Sequence, residues 1–501
     1  MAEPYERLIE HSKAVATLGS SAAVLGWDQE TTLPPGGVEH RARQLAQLAE
    51  LCHEWSTRPA VGEWLSACEA DAELDPDAAQ PNVRELRREY DRATKLPKDL
   101  VAALAETTSL AQHAWAEARR ASDFAAFEPW LTKVVGLVRR KAECLGHGDG
   151  GEPWDALADG FEPGLTGQQV EVLFAPLRQR LRALLDALLG ASDPPGTEFA
   201  REVLPIDAQE RFVRRVVAAI GFDFERGRLD RSTHPFTIGI HPHDVRITTR
   251  FADDNLLDAL GSTLHEGGHA LYEQGLRAEH FGTPLGATVS LGIHESQSRL
   301  WENHVGRSAP FWRWCHPLLG EFFGDSLARY DADAVFRAAN RVEPSLIRVE
   351  ADEVTYDLHV MLRTDLERAL LRGDLAPADV PAAWNEGFRA LLGTEVPDDR
   401  RGCLQDVHWS CGLIGYFPTY TLGNLYAAQL WEAATRDLPD LDGQIALGEF
   451  GPLREWLRTS VHAHGQRWSA ADLCVRATGA PLSAEPYLHA LESKLNAVYR
   501  L

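Results

Sequence analysis

Apolar residues recur at intervals of three and four along most of this chain, and that spacing restricts it to a mainly α architecture. In residues 38–58, 97–120 and 168–190 the repeat gives each segment one apolar stripe that a helix can bury against a neighbour. Turn-forming clusters interrupt the pattern at Pro34-Pro35-Gly36-Gly37 and at residues 146–153 and 192–196, and none is long enough to be a flexible linker. The 501 residues therefore read as one continuous helical body, softly divided into an N-terminal region, 1–230, and a C-terminal region, 231–501. No repeat or low-complexity tract is present.

Composition removes several classes of function. Hydrophobic residues make up 44% and charged residues 25%, and no stretch approaches the roughly eighteen apolar residues of a membrane span. The opening MAEPYERLIEHSK carries acidic residues at helical spacing where a secretory signal would be basic and then apolar, so a cytoplasmic location is expected. A net charge of −24 disfavours general attraction to nucleic acid or to an anionic membrane. The seven cysteines are odd in number and contain no CxxC pair, which fits reduced, packed thiols better than a disulfide framework or a thiolate metal site.

One segment departs from helical spacing. Residues 237–240 and 245–251 alternate β-branched with small or polar side chains around His241-Pro242-His243-Asp244, which predicts a short β-hairpin. It ends fourteen residues before His265-Glu266-Gly267-Gly268-His269, the strongest chemical motif in the chain.

On a helix, residues four apart share a face about 6 Å apart along the axis, so His265 and His269 can converge on one cation. Glu266 points about 100° away and can reach a water on that cation, the arrangement of a zinc hydrolase. The surrounding run, 255–276, has Leu257, Leu260, Leu264 and Leu271 at helical spacing, and nine of the 19 histidines fall between His234 and His316. Gly267 and Gly268 each cost a helix about 1 kcal/mol relative to Ala, which suggests that something approaches the backbone there.

A hydrolytic zinc needs a third protein ligand and one open position. Tyr272 and Gly275 stand where the extended HExxHxxGxxH pattern would place a glycine and a histidine. Glu273 is about 12 Å along the axis from His265, too far to share an ion with both imidazoles. The ligand is therefore expected from another helix. Residues 291–306 offer Glu295 and Glu302, with Glu295 favoured.

With these residues in view, the chain resembles the M32 family of metallocarboxypeptidases, the carboxypeptidase Taq type. His234-Pro235-Phe236 matches its HPF motif, Asp244, Arg246 and Thr248 its DxRxT, and residues 265–269 its HExxH. His294-Glu295-Ser296-Gln297 matches HES/GQ, Ile347, Arg348, Ala351 and Asp352 match I/NRxxA/SD, and Gly402, Gln405, Asp406, His408 and Trp409 match GxxQDxHW. Trp27-Asp28-Gln29-Glu30-Thr31 and Leu33-Pro34-Pro35-Gly36 are also similar to the family's pattern. The resemblance implies a mainly helical gluzincin with a deep cleft, similar in fold to angiotensin-converting enzyme and neurolysin and usually a homodimer. It also implies removal of single residues from peptide C-termini, with broad side-chain preference and poor action on Pro. His265, His269 and Glu295 would be the zinc ligands, with cobalt able to substitute, and Glu266 the general base and acid.

That reading assigns further roles. His408, Tyr416 and Tyr420, in the glycine-containing stretch 405–424, are candidates to stabilise an oxyanion, and the glycines would allow a mobile loop. A free α-carboxylate calls for a planar guanidinium, and Arg348 is the first candidate, on a helix expected over 345–362, with Arg246 on the hairpin second. An ion pair with Glu350 or Asp244 is the plainer role for these arginines. His234 is a candidate substrate contact, and Asp352 and Asp406 are candidates to orient imidazoles. His241, His243, His280, His294 and His304 are expected to be structural or surface residues. Region 1–230 would supply part of the cleft wall or a lid, and 231–501 the catalytic machinery. Two rivals remain: a dipeptidyl carboxypeptidase or oligopeptidase of related fold, and a noncatalytic helical dimer stapled by zinc.

Overall fold

The computed structural model describes residues 3–501 and is mainly helical. The predicted segments appear as Val38–Ser56, Lys98–Ala121 and Gly167–Leu189. Their starts follow local chemistry: Thr166 accepts from the Gln169 N–H and forms a capping box with that side chain, opening the last of these helices. No described helix is long and apolar enough to cross a membrane. None of the seven cysteines is in a disulfide, and Cys68, Cys315, Cys403 and Cys474 are buried.

Two apolar cores form. A small one, around Leu8, Val61, Leu65, Cys68 and Val83, joins the first helix, α1 (Pro4–Thr31), to Pro59–Glu69 and Gln80–Thr94. The large one runs from Ala111 to Tyr499 and continues across residue 230 without a seam.

The hairpin is part of a three-stranded sheet. Strands β2 (Thr237–His241) and β3 (Asp244–Thr249) pair antiparallel, and β1 (Gly227–Arg231) adds to β3 in parallel, giving the order β1-β3-β2. Thr237, Gly239, Val245 and Ile247 share the face turned to the helix Leu256–Gly275. The other face presents Arg228 and Arg246, whose guanidinium carbons lie 4.7 and 4.4 Å from the centroid of the Trp27 ring of α1. The sheet therefore stands between α1 and the helix bearing the HExxH motif, with β2 at its edge.

Two expectations require correction. The helix expected over 345–362 begins only at Glu353, because Asp352 is its N-cap and accepts from the Val354 and Thr355 N–H groups. Arg348 lies before it in the short 3-10 turn Arg348–Glu350. The stretch 405–424 is a packed connection: His408–Cys411 forms a 3-10 turn and Pro418–Asp437 a long helix. Gly415, at φ +89°, lies against the Ala158 backbone, where a Cβ would come within 2.7 Å of the nitrogen.

Candidate metal centre

Asn255 caps the motif helix, Leu256–Gly275, which buries Leu256, Ala259, Leu260, Leu264 and Leu271. Ser290 caps a second helix, Leu291–Arg299, which continues as a π-helical segment, Leu300–Gly306. The two rods approach at Gly268, where a Cβ would stand 2.5 Å from the Gln297 carbonyl oxygen and 2.7 Å from Ser298 Cα. On its other side, the second rod is accommodated by Gly423, where a Cβ would meet the Glu295 side chain at 2.3 Å. Glycines on both flanks thus set the depth of Glu295.

Donor atoms of His265, His269 and Glu295 all lie within 4.8 Å of one another. Glu295 Oε2 is 3.4 Å from His269 Nε2 and 3.8 Å from His265 Nε2. Each imidazole is oriented through its other nitrogen: His265 Nδ1 donates to Glu302 at 2.9 Å, and His269 Nδ1 to the His294 carbonyl at 3.1 Å. With those protons on Nδ1, two Nε2 lone pairs and a carboxylate oxygen face one another without a donor between them. Such a set repels itself unless a cation lies within it, so these residues fit a divalent metal with nitrogen and oxygen ligands.

Electrostatics favour the ligating protonation states of His269 and Glu295. Burial, reinforced by His294, lowers the His269 pKa to about 3. Burial opposes ionisation of Glu295, but Arg299 and the two imidazoles hold its carboxyl well below the usual range. Arg299 bridges Glu295, at 2.8 Å, and Glu302, at 3.2 Å, so neither buried carboxylate stands alone. For His265, burial lowers the pKa, but Glu295 and Glu302 outweigh it and raise it.

Glu266 projects beside this set. The hydroxyl of Thr237, on β2, lies 2.7 Å from Glu266 Oε2 and 2.9 Å from its backbone carbonyl, and burial raises the carboxyl pKa. The structure also brings His408, Tyr416 and Tyr420 together: His408 Nε2 is 3.2 Å from the Tyr420 hydroxyl, and the two tyrosine rings are 5.4 Å apart. Burial pushes His408 down to about 4 and raises both phenols, each of which also feels the negative field of Glu295. Glu367 anchors the connection, accepting from Gly415 N–H, Trp409 Nε1 and Trp154 Nε1 at 2.9, 3.1 and 3.3 Å.

Arg348 is buried, with Nη2 2.8 Å from Asp406 and Nη1 3.1 Å from the Tyr356 hydroxyl. Its ion-pair partner is therefore Asp406, rather than Glu350 or Asp244. Asp406 also binds Arg363 at 2.6 Å, so two guanidinium groups share one carboxylate and the cluster retains positive charge. Asp406 lies 3.9 Å from His408 Nδ1, which is buried without a hydrogen-bond partner. Asp352 does not orient an imidazole, contrary to expectation: its oxygens are taken by Glu343, Val354 and Thr355. Arg246 takes the plainer role, a two-pronged pair with Asp244 at 2.9 Å, and His234 is exposed in the loop before β2. Sequence reasoning missed Arg299, Arg363, the orienting role of Glu302 and the part played by His294, which stacks on His269 at 4.3 Å.

Known proteins match this chain along nearly its whole length. The family profile of the carboxypeptidase Taq (M32) metallopeptidases matches residues 7–495. Thermostable carboxypeptidase 1 of Thermus thermophilus is 48% identical over 99% of both chains, and carboxypeptidase 1 of Bacillus subtilis is 35% identical over 98% of this chain and 97% of its own. The crystal structure of the M32 carboxypeptidase from Deinococcus radiodurans R1 superposes with a TM-score of 0.97 at 42% identity, covering 100% of each chain. Matched end to end in sequence and in fold, the chain belongs to the M32 family and is a metallocarboxypeptidase, a peptide hydrolase.

Proposed function

We propose that the protein is a zinc-dependent carboxypeptidase that releases single residues from peptides with a free C-terminal carboxylate, with broad side-chain preference and poor action on C-terminal Pro. The observation that carries this reading is the donor-free convergence of His265, His269 and Glu295 beside Glu266. Zinc held there, with cobalt as a substitute, supplies Lewis acidity that polarises a carbonyl and acidifies water. Glu266, held by Thr237, takes the proton of the attacking water and returns it to the leaving amine. Its raised pKa suits a group that must both accept a proton and give it back.

Tyr420 and Tyr416 donate to the developing oxyanion, and His408, bonded to Tyr420 and backed by Asp406, orients that phenol. Arg348 receives the substrate carboxylate; the retained positive charge around Asp406 supports this role. His234, exposed in the loop before β2, serves as a secondary substrate contact, while Arg246 stays paired with Asp244. Residues 1–230 contribute one wall of the cleft, 231–501 carry the chemistry, and the working form is a cytoplasmic homodimer.

Mass spectrometry of an N-blocked peptide pool, with and without added zinc, tests this reading. One residue should leave per turnover, and C-terminal Pro should persist. Release of dipeptides would assign the chain to the dipeptidyl alternative. Glu266→Gln should keep the metal and lose about 10²- to 10⁴-fold in kcat; undiminished cleavage by that variant would refute the catalytic assignment.

A further inference from the structure

A cavity of about 570 Å³ lies where α1 and the helix Gln80–Thr94 face the end of β2. It begins next to the chemistry. Glu273, on its wall, is one helical turn, about 6 Å, beyond His269. Gly239, also on its wall, is two residues, about 7 Å, along β2 from the Thr237 that holds Glu266. Because Gly239 has no side chain, Glu273 packs against the strand, and the wall continues to His241. One edge of β2 has no strand partner, so an extended peptide laid beside it from Glu266 advances about 3.3 Å per residue. Three to four residues upstream of the scissile bond, such a chain reaches the cavity.

Charge in the cavity has one sign. Among the described residues, no Lys or Arg lines it, whereas Glu89 and Glu273 do. Glu273 is bonded to His294 at 3.0 Å, and His11 donates to the Trp55 carbonyl at 2.9 Å. Nearby cations are engaged elsewhere: Arg88 with Asp159, Arg277 with Glu279, and Lys13 with the Glu279 carbonyl. Glu85, next to Glu89 on the same helix, pairs with Arg84. Glu89 is exposed at the cavity wall and has no hydrogen-bond or ion-pair partner among the described residues.

Building on the carboxypeptidase reading above, we propose that this cavity is a subsite for the upstream part of the peptide and that Glu89 selects a cationic group there. That group is a Lys or Arg side chain or the free α-ammonium of a short peptide.

The test uses the full-length, metal-loaded enzyme and N-blocked peptides with a common C-terminal sequence, carrying Lys, Gln or Glu three or four residues upstream of the scissile bond. The kcat/KM ratio of Lys to Glu peptides should be roughly threefold to tenfold, expressed mainly in KM and reduced by salt. Glu89→Gln should collapse that ratio and Glu89→Lys invert it; because the ratio is internal to each variant, a general loss of activity cancels. Unblocked tetra- and pentapeptides distinguish α-ammonium capture, which acetylation would abolish, from side-chain capture, which it would spare. A ratio near one in the wild type, or one unchanged in Glu89→Gln, overturns the subsite while leaving carboxypeptidase action intact. Absence of single-residue release from every peptide overturns the underlying reading and the subsite with it.

Discussion

Substituting Gly268 by Ala should injure the metal site more than the fold. The new Cβ would stand 2.5 Å from the Gln297 carbonyl oxygen, against an ordinary contact of at least 3.4 Å. The obstruction is backbone, so the helix Leu291–Arg299 must retreat by about 0.9 Å, taking Glu295 with it, whereas metal–ligand distances tolerate about 0.2 Å. Overpacking costs about 1–3 kcal/mol, and the better helix propensity of Ala returns about 1 kcal/mol, so the net stability loss should stay below about 2 kcal/mol. Zinc affinity should fall at least 10- to 100-fold, the scale of losing an orienting partner. Chelator competition measures the affinity and urea unfolding of the apoprotein measures the stability. Gly261→Ala is the control: on the same helix, its Cβ has no neighbour within 4 Å, so it should gain up to about 1 kcal/mol and bind zinc normally. Wild-type zinc affinity in Gly268→Ala would refute the claim that backbone approach at this glycine sets Glu295.

Glu302→Ala leaves His265 Nδ1 without its acceptor and Arg299 without one partner, and should weaken zinc binding 10- to 100-fold; unchanged affinity by titration calorimetry would show that His265 needs no orienting carboxylate. Burial raises Glu367 from 4.5 to about 7, so between these pH values this residue keeps a proton in the fold that the unfolded chain has lost, and its contribution to stability falls as pH rises, by about 3 kcal/mol at most. Glu162, raised to about 7, adds a falling contribution and the histidines held low, such as His269 and His408, add rising ones, so the test is the difference: the stability of the wild type relative to Glu367→Gln, from urea unfolding, should fall across the window, and a difference that does not change with pH would argue against the assignment. Stripping the metal should abolish hydrolysis and lower the melting temperature, with both restored by zinc; a melting point indifferent to zinc would mean that the site does not bind it under those conditions.

Local signals in the sequence were reliable, and long-range ones were not. The i, i+4 histidines and the helix around them could be read because spacing along one rod dictates a shared face, whereas Glu295, on the second rod, was legible only through the need for a third ligand and the family motif. Two adjacent glycines in a helix signalled a close approach, and Gly268 is where the second rod touches. Glu302 and the His294 carbonyl orient imidazoles 37 and 25 residues away, a relation that exists only after packing. The third strand, Gly-Arg-Leu-Asp-Arg, lacks an alternating apolar pattern and forms because β3 offers it a free edge. The early helix placement of Arg348 was avoidable: Asp352 followed by Glu353 carries an N-terminal capping signal, but apolar spacing before it outweighed that signal in the reading. Arg363 gave no local hint, since its value lies in sharing Asp406 across 43 residues.

All three metal donors, and both groups that aim the imidazoles, reside on only two segments, 256–275 and 291–306. A partly folded chain with the first segment already helical presents two histidines and nothing to complete them. Ion capture is therefore a clock for the moment these segments lock together, distinct from the earlier gain of helicity. A coloured divalent ion added during refolding would register that moment directly.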